Sequence, residues 1–183
     1  MAAPPKIFDR VLLRQRLKRA AARLGDHDFL LREVAGRMAE RLQDVPRTFK
    51  AVLAIGGPLT ELAALYPDAA ITRAARWAAP DASLVLDEET LPFKPHSFDL
   101  VAVLGGLHWV NDLPGCLVQI RRILRPDGLF LGALAGGTTL YELRQAFLEA
   151  DSLNTGGVSP RVAPFADVRD LGDLLQRAGF AMP

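Results

Sequence analysis

The stretch from Leu86 to Leu134, LDEETLPFKPHSFDLVAVLGGLHWVNDLPGCLVQIRRILRPDGLFLGAL, constrains the fold more than any other part of the chain. Phe98 to Leu104 is an apolar, partly β-branched run with one charge, Asp99, long enough for a strand buried on both faces. Gly105-Gly106 stops it. From Leu113 the apolar positions Leu113, Leu117, Ile120, Ile123 and Leu124 fall at helical spacing, and Arg121, Arg122 and Arg125 collect near the end where positive charge suits the helix dipole. Arg125-Pro-Asp-Gly128 reads as a turn, and Leu129 to Leu134 as another buried strand. A strand, a helical crossover and a strand make one parallel unit. The class is therefore α/β.

The remaining elements follow the same logic. Ile7 to Leu24 is expected to be an amphipathic helix with a basic face, either a solvated surface covering the sheet edge or a lid or contact for an acidic partner. Asp26 or Asp28 is placed to cap a second helix, whose stripe is Leu30, Leu31, Val34, Ala35, Met38 and Leu42 and which ends before Pro46. Ala51 to Ile55 is the first strand. After Gly56-Gly57-Pro58 a helix runs from about Leu59 to Tyr66. Ala69 to Arg73 and Ser83 to Leu86 are expected as the second and third strands. Thr139-Leu-Tyr-Glu142 has the capping-box spacing for a helix to about Ala150, followed by a loop from Asp151 to Pro164. Asp167 caps a last helix with Leu171, Leu174, Leu175 and Ala178 inward, ending at Gly179.

Composition narrows the classes. At 183 residues the chain is expected to form one domain, with half its residues hydrophobic and a net charge of only +1. That pattern argues against disorder and gives no global basic excess for nucleic acid. No apolar run approaches the ~20 residues of a membrane helix. The one cysteine, Cys116, forms no internal disulfide, and a cytoplasmic, bacterial setting is expected. The Arg/Ala-rich Met1 to Leu24 has the flavour of a transit peptide, but Asp9 is acidic and serine is absent. There is no Gly-x-Ser-x-Gly, His-Glu-x-x-His or Gly-x-x-x-x-Gly-Lys-Ser/Thr signature, and no metal site is expected.

LPF followed by SFDLV, then LHWVNDLP, ILRPDGLFLGAL and GGTTLYELR, resembles the class I S-adenosylmethionine-dependent methyltransferase family. The type it resembles includes the malonyl-carrier-protein methyltransferases and, most of all, the complex I assembly factor 5 group, whose mitochondrial member is described as a protein-arginine hydroxylase. The likeness runs from Phe8-Asp-Arg10 to Ala178-Gly-Phe180. It implies a three-layer, Rossmann-like, mostly parallel fold, with residues 1–46 as N-terminal helices closing over the ligand side and 47–183 as the core. The resembled fold continues into two further strands, which are not found before Pro183. Strand five is then expected to be an edge, in a truncated form or with a second copy of the chain covering it.

The resemblance also implies S-adenosylmethionine as cofactor and, as possible partner, a protein substrate. It assigns Gly56, Gly57, Thr72, Asp87, Glu88 and Leu104 to the cofactor, with Asp87-Glu88 after strand three reading the adenine. Departures are plain. Where the family has an acid and further glycines, this chain has Ala54, Pro58 and Thr60, and Thr72-Arg73 stands where an acid follows strand two. Proline narrows the approach to the loop. His108 is either a structural hydrogen-bonder or a base near neutral pH, and Trp109 either packing or substrate recognition. Asn111 and Asp112 read as caps. Tyr141 joins His108 as a candidate catalytic residue, and Arg144 joins Trp109 on the substrate side, with plain helix surface as the other reading of both. Two functions follow: a methyltransferase-type enzyme modifying a protein side chain, or a degenerate fold kept as a binding or assembly module.

Overall fold

The computed structural model describes residues 6–76 and 82–183. Five strands, β1 Ala51–Gly56, β2 Ala70–Ala75, β3 Leu84–Val85, β4 Phe98–Leu104 and β5 Leu124–Ala133, form one parallel sheet in the order β3-β2-β1-β4-β5. The chain first builds outward from β1 to β3, then jumps back to lay β4 on the other side of β1. Among the described residues β5 pairs only with β4, so it is an edge. A groove of about 590 Å³ runs beside it, lined in part by Phe130, Leu175 and Phe180.

The central strands β1 and β4 are apolar at all positions but Asp99 because both faces are covered. Val52, Ala54, Leu100 and Ala102 point to one face, where Ala35, Met38 and Leu42 of α3 (Phe29–Gln43) and Leu62 of α4 (Glu61–Leu65) pack. Leu53, Ile55, Val101 and Val103 point to the other, against Leu117, Ile120 and Ile123 of α5 (Leu113–Ile123). Leu174, Leu175 and Ala178, on and just after α7 (Val168–Arg177), extend that layer. Two layers of helix on one sheet is the α/β architecture expected from the strand–helix–strand unit.

Ahead of the sheet lie α1 (Arg10–Ala21), α2 (Leu24–His27) and α3. The Asp9 side chain caps α1 by accepting from the Leu12 amide at 2.9 Å. Asp28 stands at the N-cap position of α3 but makes no capping bond there, because its carboxylate pairs with Arg32 one turn on at 2.8 Å. Asp112 and Asp167 do cap, accepting from Gly115 and Arg169. The capping box at Thr139 does not form: Leu140, at φ 55°, starts α6 with no side-chain cap. That helix runs Tyr141–Thr155, five residues beyond the expected end, and stops at Gly156 in the left-handed conformation.

Arg125-Pro-Asp-Gly128 turns within β5 rather than before it. The register against β4 jumps from Phe98↔Leu124 to Leu100↔Leu129, and Asp127 takes φ 59° in the extra loop. Asp99, the one charge in β4, holds this bulge. It accepts from Arg125 at 2.8 Å and from the Lys50 and Ala51 amides at 3.0 and 2.9 Å, tying the start of β1 to β4 and β5.

Candidate functional site

In an open parallel sheet, ligands enter the crevice outside the carboxyl ends of the strands where the strand order reverses. Here that point lies between β1 and β4. Gly56 ends β1 at φ 86°, and a Cβ there would come within 2.3 Å of the Leu104 carbonyl. Only glycine fits so close an approach. The Gly57 amide donates to the same carbonyl at 3.3 Å, and the Leu104 side chain lies directly against Gly57. Gly56, Gly57 and Leu104 thus form the floor of the crevice.

Thr72 is not part of it. The register pairs Thr72 with Leu53, in mid-strand, and Arg73 with Ala54. β2 continues to Ala75, so the residues at its carboxyl end are Ala75 and Arg76. The alanine-rich run from Ala69 to Ala75 has no periodicity to mark where the strand stops, which displaced the expectation by three residues.

Arg76 is the residue that sequence reasoning missed. Its side chain reaches the mouth of the crevice, where Nη2 donates to the Gly105 carbonyl at 3.3 Å and pairs with the Glu88 carboxylate. Glu88 is 1% exposed, and Arg10 from α1 holds its other oxygen at 2.8 Å. Arg10 also binds Asp87 at 2.5 Å, and Arg14 approaches Asp87 at 3.4 Å. The acids after β3, expected to read a ligand, are instead committed to arginines. Burial raises the Asp87 pKa, but the Glu89 amide and the Arg10 guanidinium more than offset this and hold it below the usual carboxylate value.

The N-terminal segment is strapped over this cluster. Asn111 does not cap α5; its Oδ1 accepts from the Ile7 and Phe8 amides, both at 2.8 Å, and its Nδ2 donates to the Phe8 carbonyl at 3.2 Å. Its own amide donates to the Glu89 carboxylate. Phe8 meets Trp109 edge to face at 5.4 Å, and Arg10 donates to the Trp109 carbonyl at 3.0 Å. Trp109 therefore packs the strap in place.

His108 sits in the single 3₁₀ turn Leu107–Trp109 that follows β4. Its Nδ1 lies 3.4 Å from the Ala135 amide, which can only donate, so the ring proton of the neutral form is on Nε2. Burial, then the nearby Arg76 charge, lower its pKa to about 4 against a smaller opposing pull from Glu88. The segment 163–165 joins it to the other candidates: the Phe165 ring lies 5.9 Å from His108, and the Ala163 carbonyl accepts from Arg144 at 3.2 Å. Arg144 lines an open groove of about 400 Å³ with Phe147, Val158 and Arg161. Tyr141 is exposed at the start of α6. The structure brings His108 and Trp109 together; Tyr141 and Arg144 stand on a separate helix, and it is Arg144 that links this helix to that segment.

Among the described residues, the crevice in this arrangement holds too little space for S-adenosylmethionine. The space over Gly56 and Ala54 amounts to about 20 Å³, and that beside Arg10, Arg76 and Asp87 to about 10 Å³. A cofactor of that size needs a cleft of roughly 300 Å³ or more. Ala54 and Leu59 are buried in the core beneath, and each carboxylate oxygen of Asp87 and Glu88 faces an arginine.

Comparison with known proteins bears on the same elements. A family model described as a methyltransferase domain matches residues 35–132, from within α3 almost to the end of β5. Among curated proteins, the human mitochondrial arginine-hydroxylase NDUFAF5 is 44% identical over 190 residues, covering 95% of this chain and 55% of that protein. The malonyl-[acyl-carrier protein] O-methyltransferase of Gallionella capsiferriformans is 32% identical over 200 residues, 97% of this chain and 67% of that protein. This chain thus spans little more than half of the human protein it matches. Among solved structures, the putative methyltransferase of Haloferax volcanii bound to its Trm112 activator superposes with a TM-score of 0.64 at 20% identity, over 91% of this chain and 75% of that one. With a parallel sheet reversing between β1 and β4, a family match across the sheet's centre and relatives along nearly its whole length, the chain belongs to the S-adenosylmethionine-dependent methyltransferase family.

Proposed function

We propose that this chain is the methyltransferase-fold part of an enzyme that modifies an arginine side chain of a protein, in an assembly-factor role. The observation that carries this reading is the identity of 44% to a protein named an arginine-hydroxylase, spread over 95% of the chain rather than confined to the common nucleotide-binding half. The site supports it. His108, Trp109 and the 163–165 segment form a continuous surface at the end of β4, and a neutral His108 is suited to orienting a side chain by hydrogen bonding. S-adenosylmethionine is the cofactor the family implies, and the crevice takes it only after its arginine cluster rearranges.

The closed crevice also favours a second reading, a fold that has given up ordinary cofactor binding and serves as a binding module. The two separate on one experiment. The protein is incubated in air with an arginine-containing peptide library, S-adenosylmethionine and a two-electron reductant, so that both methyl transfer and insertion of one oxygen atom from O2 are possible, and the peptides are weighed by mass spectrometry. A gain equal to one methylene identifies methyl transfer, and a gain equal to one oxygen atom identifies hydroxylation. Peptides retained by the protein without any mass change count for the module and against the enzyme.

A further inference from the structure

Arg76 is 9% exposed, yet it lies outside the strand ladder. It stands one residue past the end of β2, and its guanidinium spans the mouth of the crevice from the β2–β3 side to the β4 side. How completely it fills that place is shown by Gly106: a Cβ built on that glycine would lie 1.1 Å from Arg76 Nη2 and 2.2 Å from Cζ. The guanidinium therefore rests on the backbone at the end of β4, at the point where the strand order reverses. One of its donors, Nε, is buried with no hydrogen-bond partner among the described residues. Buried donors are nearly always satisfied in a settled structural cluster. An arginine that serves only stability has no reason to leave one orphaned.

We infer that Arg76 is an internal competitor for the crevice: its guanidinium holds the ligand's place against Gly105 and Gly106, and a ligand enters only when that side chain leaves Glu88. The exchange is feasible because Glu88 does not depend on Arg76 alone. Arg10 keeps its hold on the same carboxylate at 2.8 Å, so departure of Arg76 leaves a paired acid rather than an isolated buried charge. What remains is a wider crevice floored by Gly56, Gly57 and Gly106. The two states of Arg76 then set the apparent affinity, since a site open for only a fraction of the time binds more weakly by that fraction. The inference rests on the family assignment and is independent of whether a protein arginine is the substrate.

The test is calorimetric titration of S-adenosylhomocysteine into the wild-type protein and into Arg76→Ala, with circular dichroism to establish that both are folded. The variant is expected to bind at least about tenfold more tightly than wild type. Equal affinities overturn the proposal, and so does an absence of binding by both, because something other than Arg76, such as Pro58, then closes the crevice. Should Arg76→Ala fail to fold, Arg76→Gln, which keeps most of the length but not the charge, is judged by the same criterion. Neither readout involves activity, so a protein inactive on every peptide still decides the role of Arg76.

Discussion

His108 carries the sharpest chemical statement that a single residue makes here. Its position after β4 was legible from LHWVNDLP, and so was the possibility of a base near neutral pH. Its environment was not, because Arg76 lies 32 positions away and reaches the ring's neighbourhood only through the sheet. Burial and that positive charge bring the ring to about pH 4 in the folded protein, against 6.5 unperturbed. The sign follows from proton binding: between these values the unfolded chain binds the proton more readily, so the stability contributed by the neutral ring is complete above pH 6.5 and is lost as pH falls toward 4. A proton–carbon NMR titration is expected to place the His108 midpoint near 4; a midpoint above 6 would restore it as a general base. Glu88 illustrates the converse. Three acids in a row look like solvated surface or a ligand pocket, and nothing in the local sequence tells which one will be buried against arginines from α1 and β2.

Among the elements, α1 departs most from its surroundings. Its inner residues Arg10, Leu13, Leu17 and Ala21 are half-buried and the rest of the helix is exposed. It is therefore held at its beginning rather than along its length, chiefly by Asn111. An Asn111→Ala variant loses the acceptor of two backbone amides, which is worth about 1–3 kcal/mol of local stability. Limited trypsin digestion is expected to cut between Arg10 and Arg23 at least about tenfold faster in that variant, while the core fragment stays intact. An unchanged cleavage rate would mean that α1 is held elsewhere. The helix itself was readable from its pattern, and so were both covered faces of β4. Asn111 and Asp112 are adjacent and chemically alike as caps, and only the three-dimensional path of the strap separates them. The bulge in β5 was half readable: proline, aspartate and glycine announced a turn, but not that the ladder resumes on both sides of it.

At the scale of the whole molecule, the α/β class and the parallel sheet were written in the Leu86–Leu134 stretch, because strand, crossover and strand leave few ways to connect. The closure of the crevice was not, since it depends on Arg10, Arg76 and Glu88 meeting from three separate elements. That meeting has a chemical witness. Cys116, the sole cysteine, is fully enclosed in α5, and its thiol donates to the Glu88 carbonyl at 3.1 Å. Burial, with the Glu88 charge adding to it, pushes its pKa up to about 12, so almost no thiolate exists at neutral pH while the fold is shut. A disulfide reagent added in excess is therefore expected to label the native protein at a rate that stops rising with reagent concentration, the rate at which the seam between β3 and α5 breathes. Labelling as fast as a free thiol would show that seam to be open most of the time. The protein comes with its own stopwatch, placed one side chain from the cluster whose opening it would time.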